Sequence, residues 1–429
     1  MLFKDVYYLG EDFEAHRGDV AVRGDTIEYV GEKAPAEDFG EIISGGSRLV
    51  LPGFVNAHCH VPMTLLRGWG EGLPLDRWLT ERVFPFEGRL TAEDVYWGSL
   101  LGIAEMLASG VTSFSDMYSF CGSVCEAARL SGIKANVSRG LLSRDGGTLG
   151  DSKGFYETEE LFNTWDGACG GRIKAEASIH AEYTSHESFV RELAEYAKAR
   201  GAGIHIHLSE TRREHGECIA RRGATPAEYF ERCGVFEQRA TAAHCVHITD
   251  ADIEILARNG VFPAHCPTSN LKLGSGVAPV PKMLSAGINT ALGTDGASSN
   301  NNLNMLEEIH LAALIHRGAA EDSSLTPPGE VLKMASLNGA RAQGRGDAGV
   351  IKPGFKADLA VLKLDSLRLT PLHDVLSGAV FAAQGSDIEM TIVDGKILYA
   401  GGEFTSFDIR EAAKKAAAAA GRIAKELLG

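Results

Sequence analysis

The sequence predicts an α/β protein: a (β/α)8 TIM-type barrel with a small β-sandwich domain formed by both chain termini. Three observations predict it. Eight short apolar runs alternate with helical stretches through the middle of the chain. Both ends read as strands instead. The polar residues that close the apolar runs collect at their C-terminal tips, where a barrel of this kind carries its chemistry. With 429 residues, 44% hydrophobic and 23% charged, the chain can bury a large core and more than one domain.

From the N-terminus, Asp19-Val20-Ala21-Val22-Arg23-Gly24-Asp25-Thr26-Ile27-Glu28-Tyr29-Val30 alternates about a Gly-Asp pair, the pattern of a tight β-hairpin. The alternation returns in Ala357-Asp358-Leu359-Ala360-Val361-Leu362 and from Met390 to Tyr399. Residues 1–50 and 353–405 are therefore expected to share one composite β-sandwich domain, around a barrel at 51–352 and before a C-terminal helix at 406–429. Barrel strands are expected at 51–60, 111–117, 134–140, 172–181, 203–210, 240–247, 261–267 and 289–295. Segments such as Ser188 to Arg200 and Asp250 to Asn259 repeat apolar residues at helical spacing, whereas 141–165 reads as loop-rich. Lys and Arg break the alanine-rich run from Ala412 to Leu428 at helical spacing, which makes it an amphipathic surface helix.

Composition narrows the function classes. A formal net charge of −15 argues against a nucleic-acid backbone or an anionic membrane as the main partner. No early run has the apolar core of a signal peptide, and no apolar stretch is long enough to span a bilayer. The eight cysteines are scattered, with no C-x-x-C pair, which points to a reducing cytoplasm. Cys59, Cys245 and Cys266 flank histidines, yet they read as small core residues rather than metal ligands.

The strand tips carry the functional signal. Pro52-Gly53-Phe54-Val55-Asn56-Ala57-His58-Cys59-His60 is an apolar run ending in two histidines at i and i+2, which share one face of a strand. Alternation turns Cys59 away from both. The fourth strand ends at His180, the fifth at His205-Ile206-His207-Leu208-Ser209-Glu210, the sixth carries His244-Cys245-Val246-His247, and the eighth ends Gly293-Thr294-Asp295. Catalytic zinc sites take nitrogen and carboxylate ligands and keep a position for water, a requirement that three histidines plus Asp295 meet. Taken singly, His205, His215, His247 and His265 read as core residues or supports behind a ligand. The joint placement of His58, His60, His207, His244 and Asp295 at predicted strand tips reads as a metal site.

On these residues the chain resembles the amidohydrolase superfamily over nearly its whole length. The flanking words Pro62-Met63-Thr64-Leu65-Leu66-Arg67-Gly68, His207-Leu208-Ser209-Glu210-Thr211, Ser269-Asn270-Leu271-Lys272-Leu273 and Gly293-Thr294-Asp295-Gly296-Ala297-Ser298-Ser299-Asn300-Asn301 are similar to those of the 5′-methylthioadenosine/S-adenosylhomocysteine deaminases. The resemblance implies one zinc per subunit on His58, His60, His207 and Asp295, with His244 hydrogen-bonded to the attacking water and Glu210 shuttling protons. It would place the bridging carboxylated lysine of two-metal relatives at the tip of the fourth strand. Here Lys174 lies near that strand's start and the tip carries His180, so a mononuclear site is expected. The implied reaction is hydrolytic deamination of an adenosine-type nucleoside, with Asp295 accepting the water's proton and Glu210 protonating ring N1. The cytidine-deaminase type of zinc site needs P-C-x-x-C, which is absent.

The same resemblance assigns substrate contacts. Trp78 would pack against the nucleoside, Glu87 would hold ribose hydroxyls, Arg139 would face the 5′ substituent and His180 would touch the nucleoside. Members that bind a homocysteine carboxylate commonly carry a second arginine before the next helix. Here that region reads Asp151-Ser152-Lys153-Gly154-Phe155, and lysine lacks the bidentate fork of arginine. A neutral 5′ group is therefore expected, as in 5′-methylthioadenosine, 5′-deoxyadenosine or adenosine, ahead of S-adenosylhomocysteine. The alternatives are an amidohydrolase acting on guanine, a pterin or an s-triazine, and a non-catalytic barrel relative. The expected partners are a small-molecule nucleoside and further copies of the same chain in a homo-oligomer, with no nucleic acid and no membrane.

Overall fold

The computed structural model describes residues 1–143 and 146–429; Arg144 and Asp145, within the loop-rich stretch read at 141–165, lie outside the described residues. The chain opens with β1 (Leu2–Leu9), β2 (Ala15–Arg23), β3 (Thr26–Gly31), β4 (Ile42–Ser44) and β5 (Arg48–Pro52). It then runs through β6 (Phe54–Cys59), β7 (Val111–Tyr118), β8 (Lys134–Arg139), β9 (Ile173–Ile179), β10 (Ile204–Leu208), β11 (Ala240–His244), β12 (Phe262–His265) and β13 (Ala291–Leu292). It returns with β14 (Leu359–Lys363), β15 (Ile388–Val393), β16 (Lys396–Ala400) and β17 (Glu403–Phe404).

β6 to β13 form an eight-stranded parallel sheet in sequence order, the barrel that the alternation predicts. The Asp295 amide donates to the His58 carbonyl at 3.0 Å, bringing the last strand's end against the first. Gly293 permits this approach, because a Cβ there would stand 2.8 Å from the His58 carbonyl oxygen.

The remaining strands form one mixed sheet of nine from both termini, in the order β17-β16-β15-β14-β5-β1-β2-β3 with β4 on β1. Phe3, Val6, Val20, Ile27, Leu359 and Ile392 belong to its own apolar core. Both hairpins turn where alternation breaks: Gly24-Asp25 joins Arg23 to Thr26, and Asp394-Gly395 joins Val393 to Lys396. The second turn has both central residues at positive φ (47° and 71°), the backbone of a type I′ hairpin.

Two expectations need correction. The stretch 141–165, read as loop-rich, carries the helix Lys153–Thr164. The stretch 51–60 is not a single strand: Leu51 and Pro52 pair with β14 in the terminal sheet, and the barrel strand begins at Phe54. The break falls at Gly53, where any Cβ would lie 2.2 Å from the Thr112 methyl, so the chain crosses between sheets at a point too crowded for a side chain.

Barrel and sheet are pinned together by charge. Lys134, at the start of β8, places Nζ 2.6 Å from Asp358 Oδ2 and 2.7 Å from Asp394 Oδ1, with the lysine and Asp358 side chains each only 5% exposed. Lys134→Met would leave both carboxylates facing a low-dielectric pocket. It is expected to lower unfolding free energy by about 3–5 kcal/mol in denaturant titration, and a loss below about 1 kcal/mol would show the pair is idle.

The tail folds as the helix Ile409–Leu428, capped by the Asp408 side chain and burying Ala412, Ala416, Ala419 and Ile423. Arg422 ties it to Asp94 of the helix Ala92–Ala108 at 2.6 Å. Among the described residues no helix is long and apolar enough to cross a membrane.

Candidate active site

Three barrel strands deliver four imidazoles to one point. His58 ends β6 and His60 follows it, His207 lies near the end of β10, and His244 ends β11. Each Nδ1 is turned outward to an acceptor: His60 donates to the Met117 carbonyl (2.5 Å), His207 to the His180 carbonyl (2.7 Å) and His244 to Asn270 Oδ1 (2.9 Å). His58 Nδ1 meets His205 Nε2 at 2.9 Å. Tying Nδ1 leaves Nε2 of every ring free to face inward.

Two of those nitrogens, from His58 and His60, converge on Asp295. Its Oδ1 stands 3.5 Å from His58 Nε2 and 3.2 Å from His60 Nε2, and His60 Nε2 is 3.4 Å from His207 Nε2. Ser269 and Ser299 donate hydroxyls to Oδ2 (2.6 and 2.8 Å), and the Gly296 amide donates to Oδ1 (2.8 Å), fixing the carboxylate plane. Ligands about 2.1 Å from one tetrahedral ion lie about 3.4 Å apart, so these separations fit a single zinc. His58 Nε2 is buried without a hydrogen-bond partner, an orphan that a metal ion would satisfy. Burial also holds His58 and His207 well below the usual imidazole range, neutral as ligands must be. Burial opposes ionisation of Asp295, but the His58 and His60 imidazoles beside it outweigh it and keep the carboxyl well below its usual range.

Backbone strain concentrates here. Ser209, His244, Cys245 and Asp295 all take positive φ (49°, 72°, 49° and 59°), a conformation that non-glycine residues hold where surrounding structure imposes it. Cys59 points away, its thiol donating to the Ser115 carbonyl at 3.4 Å. Lys174 sits at the other end of β9, donating to the Gly344 carbonyl at 2.8 Å, far along the strand from this cluster.

Glu210 stands beside the histidines, its Oε2 3.9 Å from His244 Nε2 and its Oε1 accepting from the Ser275 hydroxyl at 3.4 Å. Burial pushes its carboxyl up from the ordinary glutamate value, which favours a group that can carry a proton. Glu214 holds this turn: its carboxylate accepts the backbone amides of Ser209 (3.1 Å) and Glu210 (2.7 Å).

Above this floor opens a cavity of about 330 Å³, which His60, His207, His244, Asp295 and Glu210 line at the bottom. Its walls bring in Trp78, Glu87, Arg139 and His180. Trp78 and Glu87 come from the helical segment Leu75–Glu87, whose middle, Leu79–Val83, widens into a π turn of the sort found at functional sites. Burial pushes Glu87 up, against the pull of the Tyr118 hydroxyl and His60. Arg139 Nε is ion-paired with Glu157 at 2.8 Å, and its Nη1 donates to the Gly140 carbonyl at 2.9 Å. Lys153 is exposed and is not among the lining residues.

Sequence reasoning missed several wall residues. Tyr118, at the tip of β7, lines the cavity with a buried hydroxyl set beside the Glu87 carboxyl. It sits at a strand tip, the same signal that marked the histidines. Leu75, Leu79, Tyr183 and Leu273 make the rim apolar, and no local pattern marked them.

The amidohydrolase family pattern matches residues 49–398. The chain belongs to the amidohydrolase family. Within it, the chain is 45% identical over 412 residues to a 5-methylthioadenosine/S-adenosylhomocysteine deaminase of Caldanaerobacter subterraneus subsp. tengcongensis, covering 95% of each. A relative of the same description from Acetivibrio thermocellus is 44% identical over 407 residues, covering 92% of this chain and 94% of that one. Among solved structures, a zinc-bound adenosine deaminase from Xanthomonas campestris is similar to it with a TM-score of 0.92 at 31% identity, covering 99% of this chain and 98% of the other. The atrazine chlorohydrolase TrzN of Arthrobacter aurescens, also with zinc, shares the fold at a TM-score of 0.91 and 23% identity, over 98% and 99% of the two chains.

Proposed function

We propose that this amidohydrolase is a zinc-dependent hydrolytic deaminase of adenosine-type nucleosides, releasing ammonia and the inosine analogue. It acts as a hydrolase on the carbon–nitrogen bond of a cyclic amidine. The observation that carries this reading is the cavity floor, where imidazole Nε2 atoms and Asp295 Oδ1 stand at ligand separations beside Glu210, whose carboxyl burial pushes up from the ordinary glutamate value. Relatives named for deamination of methylthioadenosine and S-adenosylhomocysteine support the substrate class.

In this reading His58, His60, His207 and Asp295 hold one zinc. Zinc bound there would lower the pKa of water towards neutrality and so supply a nucleophile at physiological pH. His244, its Nδ1 fixed by Asn270, orients the attacking water with Nε2. Asp295 accepts a proton from that water as the new C6–O bond forms. Glu210 delivers its proton to ring N1, takes up the proton that the new C6 hydroxyl gives up, and passes it to the departing amine as the C6–N bond breaks; the proton held by Asp295 then restores Glu210, so one water is added for one ammonia lost. Glu87 grips the ribose hydroxyls, Trp78 packs against the nucleoside, and His180 and Arg139 contact its far end. An ammonia-release screen of the zinc-loaded protein over purines, pterins, s-triazines and 5′-modified adenosines tests the whole assignment. Turnover of guanine or a triazine, without any adenosine, would overturn it.

The 5′ end of the site favours a neutral substituent. Arg139 is the one Arg or Lys among the described residues lining the cavity, and Glu157 already occupies its Nε side. A carboxylate would have to displace Glu157 to gain a bidentate grip. kcat/KM for 5′-methylthioadenosine should therefore exceed that for S-adenosylhomocysteine by about tenfold or more, roughly one charge-assisted hydrogen bond. A preference in the other direction would remove this specificity assignment. The proposal places the enzyme in the cytoplasm, a reading supported by eight cysteines that form no disulfide. Assembly with further copies of the chain belongs to the same proposal, and light scattering of the purified protein checks it.

A further inference from the structure

His205 lies two residues before His207 on β10, so both rings point into the barrel and His205 sits one layer deeper. It is fully buried, as is His58, and its Nε2 meets His58 Nδ1 at 2.9 Å. Below it the barrel interior holds Glu176, whose Oε1 takes hydrogen bonds from Asn136 Nδ2 (2.8 Å) and Arg239 Nη2 (2.7 Å).

An imidazole that offers Nε2 to a metal must keep its proton on Nδ1, and that N–H needs an acceptor. For His60, His207 and His244 the acceptor is a carbonyl or amide oxygen, a group that accepts in every protonation state. For His58 it is another ring nitrogen. Nε2 of His205 accepts only while His205 is neutral and carries its own proton on Nδ1. The two rings stand nearly edge to face (72°, centroids 5.0 Å apart), which brings the lone pair of one toward the N–H of the other.

We infer that His205 is a positioning residue for the metal centre: its Nε2 lone pair holds the His58 proton on Nδ1 and so presents His58 Nε2 to the ion. This rests on the zinc reading above. It makes metal retention depend on a residue that touches neither metal nor substrate, and it gives a core-facing histidine a reason to be histidine rather than leucine or methionine.

His205→Met and His205→Gln form a matched pair of similar volume, one without an acceptor and one with a side-chain oxygen that can take the His58 N–H. Zinc affinity of the full-length proteins, measured by competition with a chromophoric chelator, should fall by about 10–100-fold in the Met variant and recover most of that loss in the Gln variant. kcat at saturating zinc should change far less than affinity in either. Met-variant affinity within about threefold of wild type, or a Gln variant as weak as the Met variant, would overturn the assignment. Should the Met variant fail to fold, the ¹⁵N-histidine spectrum of the zinc-loaded wild type decides. His205 must then show a protonated Nδ1 and a bare Nε2, and the opposite tautomer overturns the inference. A wild-type chain that takes up no zinc would end the zinc reading itself, a result distinct from wild-type zinc binding that His205 does not influence.

Discussion

Glu210→Gln is expected to lower kcat by about 10²–10⁴-fold while zinc content and melting temperature stay at wild-type values. The substitution is nearly isosteric. Gln can still accept the Ser275 hydroxyl through Oε1, and the turn itself is held by Glu214, whose carboxylate takes the backbone amides on either side of the 209–210 peptide. What Gln cannot do is carry a proton to ring N1 and return one to the leaving amine. Burial prepares Glu210 for that exchange by raising its carboxyl toward the pH at which it works. The loss corresponds to about 3–5 kcal/mol of transition-state stabilisation, and because Glu210 is no metal ligand in this assignment the two readouts should separate. Measured by ammonia release and metal analysis on one preparation, activity within about tenfold of wild type would remove Glu210 from proton transfer.

The separation between what the sequence revealed and what it hid follows from the range of each signal. A parallel barrel repeats one local rule eight times, so a polar residue at a strand tip is visible without knowing its neighbours; His58, His60, His207, His244 and Asp295 were all legible in this way. Alternation also excluded Cys59 correctly in geometric terms, since its thiol turns to the Ser115 carbonyl. The same alternation bore on His205, two residues before a ligand, but whether an inward histidine is filler or support depends on what lies across the barrel. His58 lies 147 residues away in sequence, and no local pattern reports that distance. His265, by contrast, meets another buried histidine, His316, at 5.2 Å between ring centres and stays outside the cluster. The break at Gly53 escaped for a similar reason: the apolar run is continuous, and only the Thr112 side chain across the sheet interrupts it. At the 5′ end, Lys153 is the cation of residues 151–155 but is exposed, while the residue that bears on Arg139 is the acid Glu157 one turn further along the helix Lys153–Thr164. The contact belongs to tertiary packing and has no signature in spacing.

Asp295→Ala should abolish both metal retention and turnover, and Asp295→Asn should do the same without harming the fold. Asp295 supplies the negative charge among the four proposed ligands, and its Oδ1 is the atom on which the His58 and His60 nitrogens converge. Two serine hydroxyls and a backbone amide aim that oxygen, so the carboxylate is oriented before any ion arrives. Losing a supporting group behind a ligand costs about 10–100-fold in metal affinity, and losing the ligand itself should exceed that range. Asparagine keeps the volume, tolerates the positive φ of 59° better than alanine, and can still accept one serine hydroxyl, so its melting temperature should stay near that of metal-free wild type. Zinc content well below one per chain in both variants, with ammonia release under about 10⁻³ of wild type, is the expected pair of results. Dialysis of wild type against a chelator should reproduce the catalytic loss, and added zinc should restore the wild type but neither variant. An Asn variant that keeps stoichiometric zinc and loses only turnover would move Asp295 out of the ligand set and leave it as the base alone.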